Sequence, residues 1–400
     1  VPVIEAVRCI LLSAPYGHPE SVETAAFYPS PAYRTTSMVE VRLSDGTIGL
    51  GEGYLGVFAP TLFREIVAFQ APLLIGQAAD DVAARVRGLR RACDYWGLEG
   101  PVRHATAAFE IALIDAGARG AGVPAYVYLG GRHADPLTMY ASGGDALTPE
   151  AMGEELDRAV AMTIGLFKMR SLRGADIERC TWTVNAARQR HLEVAVDLSQ
   201  NLGNTPNRWG DSLEFCRRLG ERTGGRLSFL EEAVGPYDLD GFRSLRGAAV
   251  TRVAGGETLT SAEEAVRRVA GGVYDIVQPD ATLMGVRAVA EVCAAARSHG
   301  VASAVHAWGG PVGLMANYHV GLAAGADLGE YPMLSYCLRD EMLEQPVSFA
   351  GGRWVPSEAP GLGVRLTDEI EKKYPFREDA LYRTPGRPFD WHPERWAAAN

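Results

Sequence analysis

Three acidic residues close three successive apolar runs of the chain: Val194-Ala195-Val196-Asp197, Ser228-Phe229-Leu230-Glu231 and Val253-Ala254-Gly255-Gly256-Glu257. Hard oxygen ligands recurring this way suit a divalent cation. An all-carboxylate set favours Mg2+, with Mn2+ as a substitute, over zinc, which would bring His or Cys. A strand, a crossover helix and two short loops need about thirty residues, and Asp197, Glu231 and Glu257 follow one another at about that interval. A parallel barrel turns the C-terminal ends of all its strands to one face, so acids one βα unit apart converge. Any one of them alone would read as a helix cap or a solvated strand end; three in phase read as a site. Glu232 adjoins Glu231, and alternation lets one face the barrel mouth while the other faces a helix; Glu231 is the preferred ligand.

Further reactive types end the other apolar runs. Lys168 and Arg170 are two apart and share a strand face, Asp280 and His306 end consecutive runs, and Glu330 ends the last. Neighbouring strand ends can join an Asp to a His, which fixes the imidazole tautomer and raises its basicity.

Eight short apolar runs supply these ends: Leu137–Tyr140, Phe167–Met169, Leu192–Val196, Leu227–Leu230, Arg252–Ala254, Asp275–Val277, Ala302–Val305 and Ala326–Leu328. Amphipathic segments alternate with them, including Glu150–Met162, Ile177–Gln189, Ala262–Val269 and Val286–Ser298, which predicts a (β/α)8 TIM-type barrel of the α/β class over residues 131–350. Residues 1–130 read as an α+β capping domain. It has strands at Val3–Leu12, Met38–Leu43 and Ile48–Gly51, with a hairpin at Asp45-Gly46, and helices at Pro60–Leu74, Asp80–Arg91 and Arg103–Gly117. The polar, aromatic stretch between the first two strands is long enough for a lid. Residues 351–400 are expected to pack back on the cap.

Composition excludes several classes. The 400 residues are 47% hydrophobic and 22% charged with net charge -10, which offers no basic surface for nucleic acid. The six cysteines form no CxxC pair, so no zinc ribbon or redox dithiol is indicated. No apolar stretch reaches the roughly 20 residues of a membrane span and no secretory pattern opens the chain, so a cytoplasmic protein without a membrane partner is expected.

The order Lys-x-Arg, Asp, Glu-Glu, Gly-Gly-Glu, Asp, His, Glu resembles the enolase superfamily, and within it the mandelate racemase subgroup of acid-sugar dehydratases and racemases. Met38-Val39-Glu40-Val41, Gly51-Glu52-Gly53, Ala112-Leu113-Ile114-Asp115, Leu129-Gly130-Gly131 and Pro360-Gly361-Leu362-Gly363 match the cap and returning tail. The resemblance implies one Mg2+ held by Asp197, Glu231 and Glu257, a small-molecule carboxylate substrate bound to it, and removal of the proton α to that carboxylate. It also implies a homo-oligomer. Lys168 would stand beside the carboxylate as a second cation, and Glu330 would donate a hydrogen bond to it if protonated.

Two positions depart from the subgroup. Arg170 stands where a second Lys often serves as a base, and a guanidinium does not deprotonate in proteins, so it reads as an anion clamp. Ser199 stands where Asn is more frequent, close to the substrate's α-substituent. A single base, His306, oriented by Asp280, argues against racemisation and for dehydration of an acid sugar to a 2-keto-3-deoxy acid, with His306 returning the proton to the departing hydroxide. A lactone cycloisomerase, an epimerase and a non-catalytic metal-binding relative are the alternatives. Trp308 reads equally as pocket wall or barrel packing. Tyr16, His18, Tyr28, Tyr33, Arg34 and the loop Tyr54–Ala59 are candidate specificity determinants.

Overall fold

The computed structural model describes residues 1–18, 21, 32–131, 136–200, 206–380, 382 and 396. Three antiparallel strands open the chain: β1 (Ile4–Pro15), β2 (Tyr33–Leu43) and β3 (Ile48–Gly53). At the hairpin between β2 and β3, Gly46 takes the left-handed conformation (φ +87°) and Thr47 N–H donates to Asp45 Oδ1 at 2.9 Å, which is why Asp-Gly marks the turn. Helices Pro60–Gln70 and Pro101–Gly120 pack on this sheet, and Val82–Cys93 packs on Pro101–Gly120.

Helix Pro101–Gly120 is locked to β3 by glycine. A Cβ on Gly49 would fall 2.0 Å from the Ala112 carbonyl oxygen, on Gly51 1.7 Å from that of Ala108, and on Gly53 2.6 Å from that of His104. Alternate residues of a strand thus meet every fourth residue of a helix at backbone contact. No larger side chain fits, so the depth and register of the first helical turn are set by the strand.

Eight parallel strands form the barrel: β4 (Thr138–Gly143), β5 (Leu166–Arg170), β6 (Glu193–Asp197), β7 (Leu230–Glu231), β8 (Val253–Gly255), β9 (Ile276–Val277), β10 (Ala302–Val305) and β11 (Leu328–Pro332). Pairing of β11 with β4, Glu330 opposite Tyr140, closes it. Every apolar run read from the sequence carries a strand. Two strands lie further along than their runs, β7 at Leu230–Glu231 rather than Leu227–Leu230 and β11 at Leu328–Pro332 rather than Ala326–Leu328, because parallel pairing with β6 and with β10 and β4 fixes which residues join the ladder. Helices Ile177–Gln189 and Val286–Ser298 have the expected bounds.

The barrel interior is filled below its rim by Tyr140, Phe229 and Ile276, interleaved with Ala195, Ala254 and Ala304. Tyr140 and Phe229 meet edge to face at 5.9 Å between centroids. This plug leaves a solid floor, so a ligand enters only from the strand ends.

After the barrel the chain divides its contacts. Strand β12 (Ser348–Ala350) pairs with β13 (Arg353–Val355), and Arg353 of β13 adds antiparallel to Thr138 of β4, so this part joins the barrel sheet. The following segment returns to the cap: Leu362 N–H donates to Asp115 Oδ1 at 2.7 Å and Ala125 N–H to the Gly361 carbonyl at 2.8 Å. No helix among the described residues is long and apolar enough to cross a membrane.

Candidate active site

Lys168 and Arg170 project from one face of β5. The buried Lys168 Nζ donates to Glu231 Oε1 at 2.5 Å and pairs with Glu330 Oε1 at 2.9 Å, tying β5 to β7 and β11 across the barrel mouth. Burial opposes its charge, but the two carboxylates outweigh burial and raise its pKa, so Lys168 is an ammonium. Arg170 lies 3.8 Å from Asp197 Oδ2 and 3.6 Å from Asp145 Oδ1, with its guanidinium 5.0 Å from the Trp308 ring centroid.

His306 follows β10. Its Nδ1 is 2.7 Å from Asp280 Oδ2, which leaves Nε2 on the cavity side, 3.8 Å from Glu257 Oε2 and 3.7 Å from Glu330 Oε2. Asp280 is fully buried and held in turn: Thr282 N–H and Oγ1 donate to its Oδ1, each at 2.7 Å, and Asn317 Nδ2 donates at 2.8 Å. Burial lowers the imidazole pKa, but Glu330, Glu257 and the Asp280 hydrogen bond raise it further, to about 10. The proton on Nδ1 is thereby directed to Asp280.

Asp197, Glu231 and Glu257 come from the ends of β6, β7 and β8. Asp197 is oriented by Ser199 N–H at 2.6 Å, and Glu231 by Lys168 and by Gln278 Nε2 at 2.6 Å on its second oxygen. Burial, then repulsion from the neighbouring acids, raises the carboxyl pKa values of both Asp197 and Glu231. Among the described residues no three His, Cys, Asp or Glu side chains are already drawn together as a ligand set. Glu231 directs both oxygens to Lys168 and Gln278. The donors nevertheless suit Mg2+ in kind: carboxylates on three consecutive strands, repelling one another in a buried site where a divalent cation would relieve the strain. Glu232 turns away from them at φ +45°, accepts from Gly256 N–H at 3.2 Å, and is pushed up to about 8 by burial and Glu257.

Glu330 would donate a hydrogen bond only on condition that it is protonated, and its surroundings favour the ionised form. Burial raises its pKa, yet Lys168, His306 and the Ala307 N–H at 2.9 Å bring it down to about 2, so Glu330 is an ionised acceptor.

These groups form the floor of a cavity of about 380 Å3, to which Lys168, Arg170, Asp197, Glu257, His306 and Glu330 contribute. Arg34, Tyr54, Leu55, Val57, Phe58 and Tyr382 line it from the cap side, and His104, Thr258, Leu283 and Trp308 complete it. Trp308 is both wall and packing, since it also carries Arg170 on its face. Arg34 is buried between Tyr16 and Tyr54, 4.7 and 5.6 Å from their ring centroids, and donates to the Trp308 carbonyl.

Tyr16 and His18, read as substrate contacts, do not line this cavity. Tyr16 continues the line of β1 into the protein, where it packs edge-on against Tyr336 at 5.4 Å and supports Arg34. The chain then crosses the barrel flank, Gly17 N–H donating to the Ser335 carbonyl at 2.9 Å, and this carries His18 into a second cavity beside Glu155, Arg158 and Met333. Tyr33 carries the Arg377 guanidinium at 4.1 Å. Ser199 is buried outside the cavity wall in a left-handed conformation, φ +48°, which Asn tolerates better than Ser. Tyr28 lies outside the described residues.

Gln278, Asn317, His104 and Tyr382 were not singled out from the sequence. Gln278 carried a usable signal, being two before Asp280 and so on the same strand face. The other three come from a barrel helix, a cap helix and the tail, where no strand-end rule applies.

A closed parallel barrel, capped by an antiparallel α+β domain and open only at its strand ends, defines the class of enolase-type enzymes. Residues 151–370 match the enolase C-terminal domain-like family and residues 29–130 the mandelate racemase / muconate lactonizing enzyme N-terminal domain, and the chain belongs to this family, in the mandelate racemase subgroup of the enolase superfamily. It is 25% identical over 385 residues to muconate cycloisomerase 1 of Rhodococcus opacus, covering 93% of this chain and 98% of the relative. It is 28% identical over 354 residues to L-talarate/galactarate dehydratase of Salmonella typhimurium, covering 84% and 81%. Among solved structures, the 3,6-anhydro-D-galactonate cycloisomerase from Zobellia galactanivorans superposes with a TM-score of 0.79 at 23% identity, over 93% of this chain and 99% of that one. An L-talarate/galactarate dehydratase liganded with Mg and L-glucarate gives 0.79 at 23% identity, over 94% and 92%. These relatives are acid-sugar dehydratases and cycloisomerases, and their similarity supports an enzymatic role for this chain.

Proposed function

We propose that this protein removes the proton α to the carboxylate of an acid sugar and eliminates a β-oxygen, most simply as water, to give a 2-keto-3-deoxy acid. The observation that carries this reading is the His306–Asp280 pair facing a cavity to which β5 contributes two cations, the ammonium of Lys168 and the guanidinium of Arg170, rather than a second neutral base. Asp197, Glu231 and Glu257 would hold Mg2+, which when bound supplies Lewis-acid stabilisation of the charge that builds on the substrate carboxylate. Lys168 adds a fixed positive charge in a water-poor site, where it acts most strongly. His306 Nε2 accepts the α-proton and, as imidazolium, returns it to the departing oxygen on the same side, a syn elimination.

A second reading, opening of a sugar-acid lactone, breaks the same kind of bond with ring oxygen as leaving group. One part of the cavity wall favours it: Leu55, Val57, Phe58 and Leu283 bring no hydrogen-bonding side chain, so the polar contacts of a hydroxylated chain would fall to Tyr54, His104, Thr258 and Tyr382. Incubation with Mg2+ and a library of aldonic and aldaric acids and their lactones, with 2-keto acid detection and product NMR, tests both readings. No product and no α-proton exchange across the library would overturn the proposal.

Two outcomes follow from the charges around the site. With His306 raised to about 10, its basic form is scarce at neutral pH and grows as pH rises. The ascending limb of kcat/KM is expected above the ordinary imidazole value of about 6.5, moving to lower pH as Mg2+ saturates because a cation on Glu257 cancels part of the field. A limb at or below the ordinary value at every Mg2+ concentration would contradict this network. Arg170→Lys places a titratable amine on the opposite face. The variant is expected to acquire slow α-epimerisation, read by chiral analysis of recovered substrate, while elimination falls by about tenfold or more.

A further inference from the structure

Among the polar side chains buried on helix Pro101–Gly120, most are satisfied by the protein itself. Arg103 Nε donates to the Leu98 carbonyl at 2.6 Å, Thr106 bonds Gln70 at 2.8 Å, Glu110 accepts from Arg287 N–H at 3.2 Å and Asp115 from Leu50 N–H at 2.9 Å. Two buried atoms on this helix lack a partner among the described residues, Arg103 Nη1 and His104 Nδ1, and of these two residues only His104 lines the cavity. Its side chain is only 8% exposed, its Nδ1 has no hydrogen-bond partner among the described residues, and it lines the cavity that holds Lys168 and His306.

A buried polar atom without a partner calls for an explanation, and an apolar side chain here would pack without one. The neighbours of His104 on the helix, Ala105, Ala107, Ala108 and Phe109, show that apolar residues are the rule on this stretch. The ring cannot swing away from the cavity by moving its backbone, since the His104 carbonyl lies in contact with Gly53. Tyr54, Leu55, Val57 and Phe58, which follow Gly53, line the same cavity.

We propose that His104 is a substrate-binding residue, whose ring hydrogen-bonds one uncharged oxygen, a hydroxyl or a ring oxygen, on the part of the substrate beyond the α-carbon. This rests on the cavity being the substrate site of the proposed reaction. A distal carboxylate is a poorer match: burial lowers the imidazole pKa to about 4, so the ring brings no positive charge, and the cap-side cation Arg34 is already engaged by two tyrosine faces and the Trp308 carbonyl.

The test uses the full chain with saturating Mg2+. Affinities are measured by calorimetry for glycolate, which ends at the α-carbon, and for a panel of C4 to C6 aldonates and their lactones. In the wild type the preferred panel member is expected to bind at least tenfold tighter than glycolate. His104→Leu should abolish that advantage and leave glycolate affinity unchanged, while His104→Asn, which keeps a hydrogen-bonding amide, should retain part of it. In labelled protein, the His104 ring nitrogen resonances should move with the preferred member and not with glycolate. Retention of the full advantage in His104→Leu, or no panel member exceeding glycolate, overturns the assignment. Binding selectivity that depends on His104 without any keto acid formed would leave it standing and overturn the reaction instead.

Discussion

His306→Asn is expected to lower kcat by about a thousandfold, the scale of a positioned general base, and to abolish α-proton exchange in D2O, while Mg2+ and substrate binding persist. The substitution is chosen for geometry. The Asn side-chain amide approximates the position of imidazole Nδ1, so it can still donate to Asp280 Oδ2, now 2.7 Å from His306, and the Thr282 and Asn317 hydrogen bonds to Asp280 are untouched. What disappears is Nε2, the nitrogen directed at the cavity. Folding should therefore survive, and a thermal melt near that of wild type would show that the loss is chemical. Exchange distinguishes the one-base reading from its rival. Residual exchange near the wild-type rate would place a second competent base in the cavity and sink the assignment.

Asp197→Asn is expected to abolish turnover and weaken Mg2+ binding by at least about 100-fold, more than the 10–100-fold typical of a residue one step removed from a metal. It should also raise the melting temperature in EDTA. Both effects have one cause. Burial and the nearby Glu257 raise the Asp197 pKa despite Lys168 and Arg170, so the ionised carboxylate is the costly form in the folded state, and an amide of the same shape removes that cost. The sign for pH is fixed by the same direction. A carboxyl whose folded pKa is raised is stabilising below its unfolded value and loses that contribution as pH rises through the folded one, so the wild type in EDTA should melt lower with rising pH, and the variant less steeply. In wild type, Mg2+ at 100 times its Kd should add about 2.7 kcal/mol of stability, and the variant should gain no more than about 0.4 kcal/mol at the same concentration. An unchanged Mg2+ response would remove Asp197 from the ligand set.

Cap and barrel were legible because their signals are local. Alternation marks strands, 3.6-residue periodicity marks helices, and Asp45-Gly46 marks a hairpin whose glycine must adopt positive φ. Strand-end chemistry was legible for the same reason: in a barrel, sequence position at a strand end is already a spatial address. Lys168, Arg170, Asp197, Glu257, His306 and Glu330 share one cavity, with Asp280 directly behind His306 and Glu231 against Lys168. The cap contacts were not legible. Tyr16 and His18 looked as suitable as Arg34, but only Arg34 reaches the cavity, because β1 and its continuation carry Tyr16 against Tyr336 and His18 over the barrel flank.

The charge state of Glu330 shows the other limit. Its residue type allowed donor or acceptor, and only the approach of Lys168 from the opposite strand, at 2.9 Å, decides for the acceptor. Chain order alone determines the architecture, the succession of acids and the presence of Arg170 where a second base would stand, because these depend on residue type and spacing. Tertiary structure alone decides that Glu231 faces Lys168 and Gln278 while Glu232 turns away, and that His104 lines the cavity while its buried Nδ1 lacks a partner among the described residues. Those outcomes depend on distances between segments far apart in sequence, and on the low-dielectric burial that makes each such distance matter.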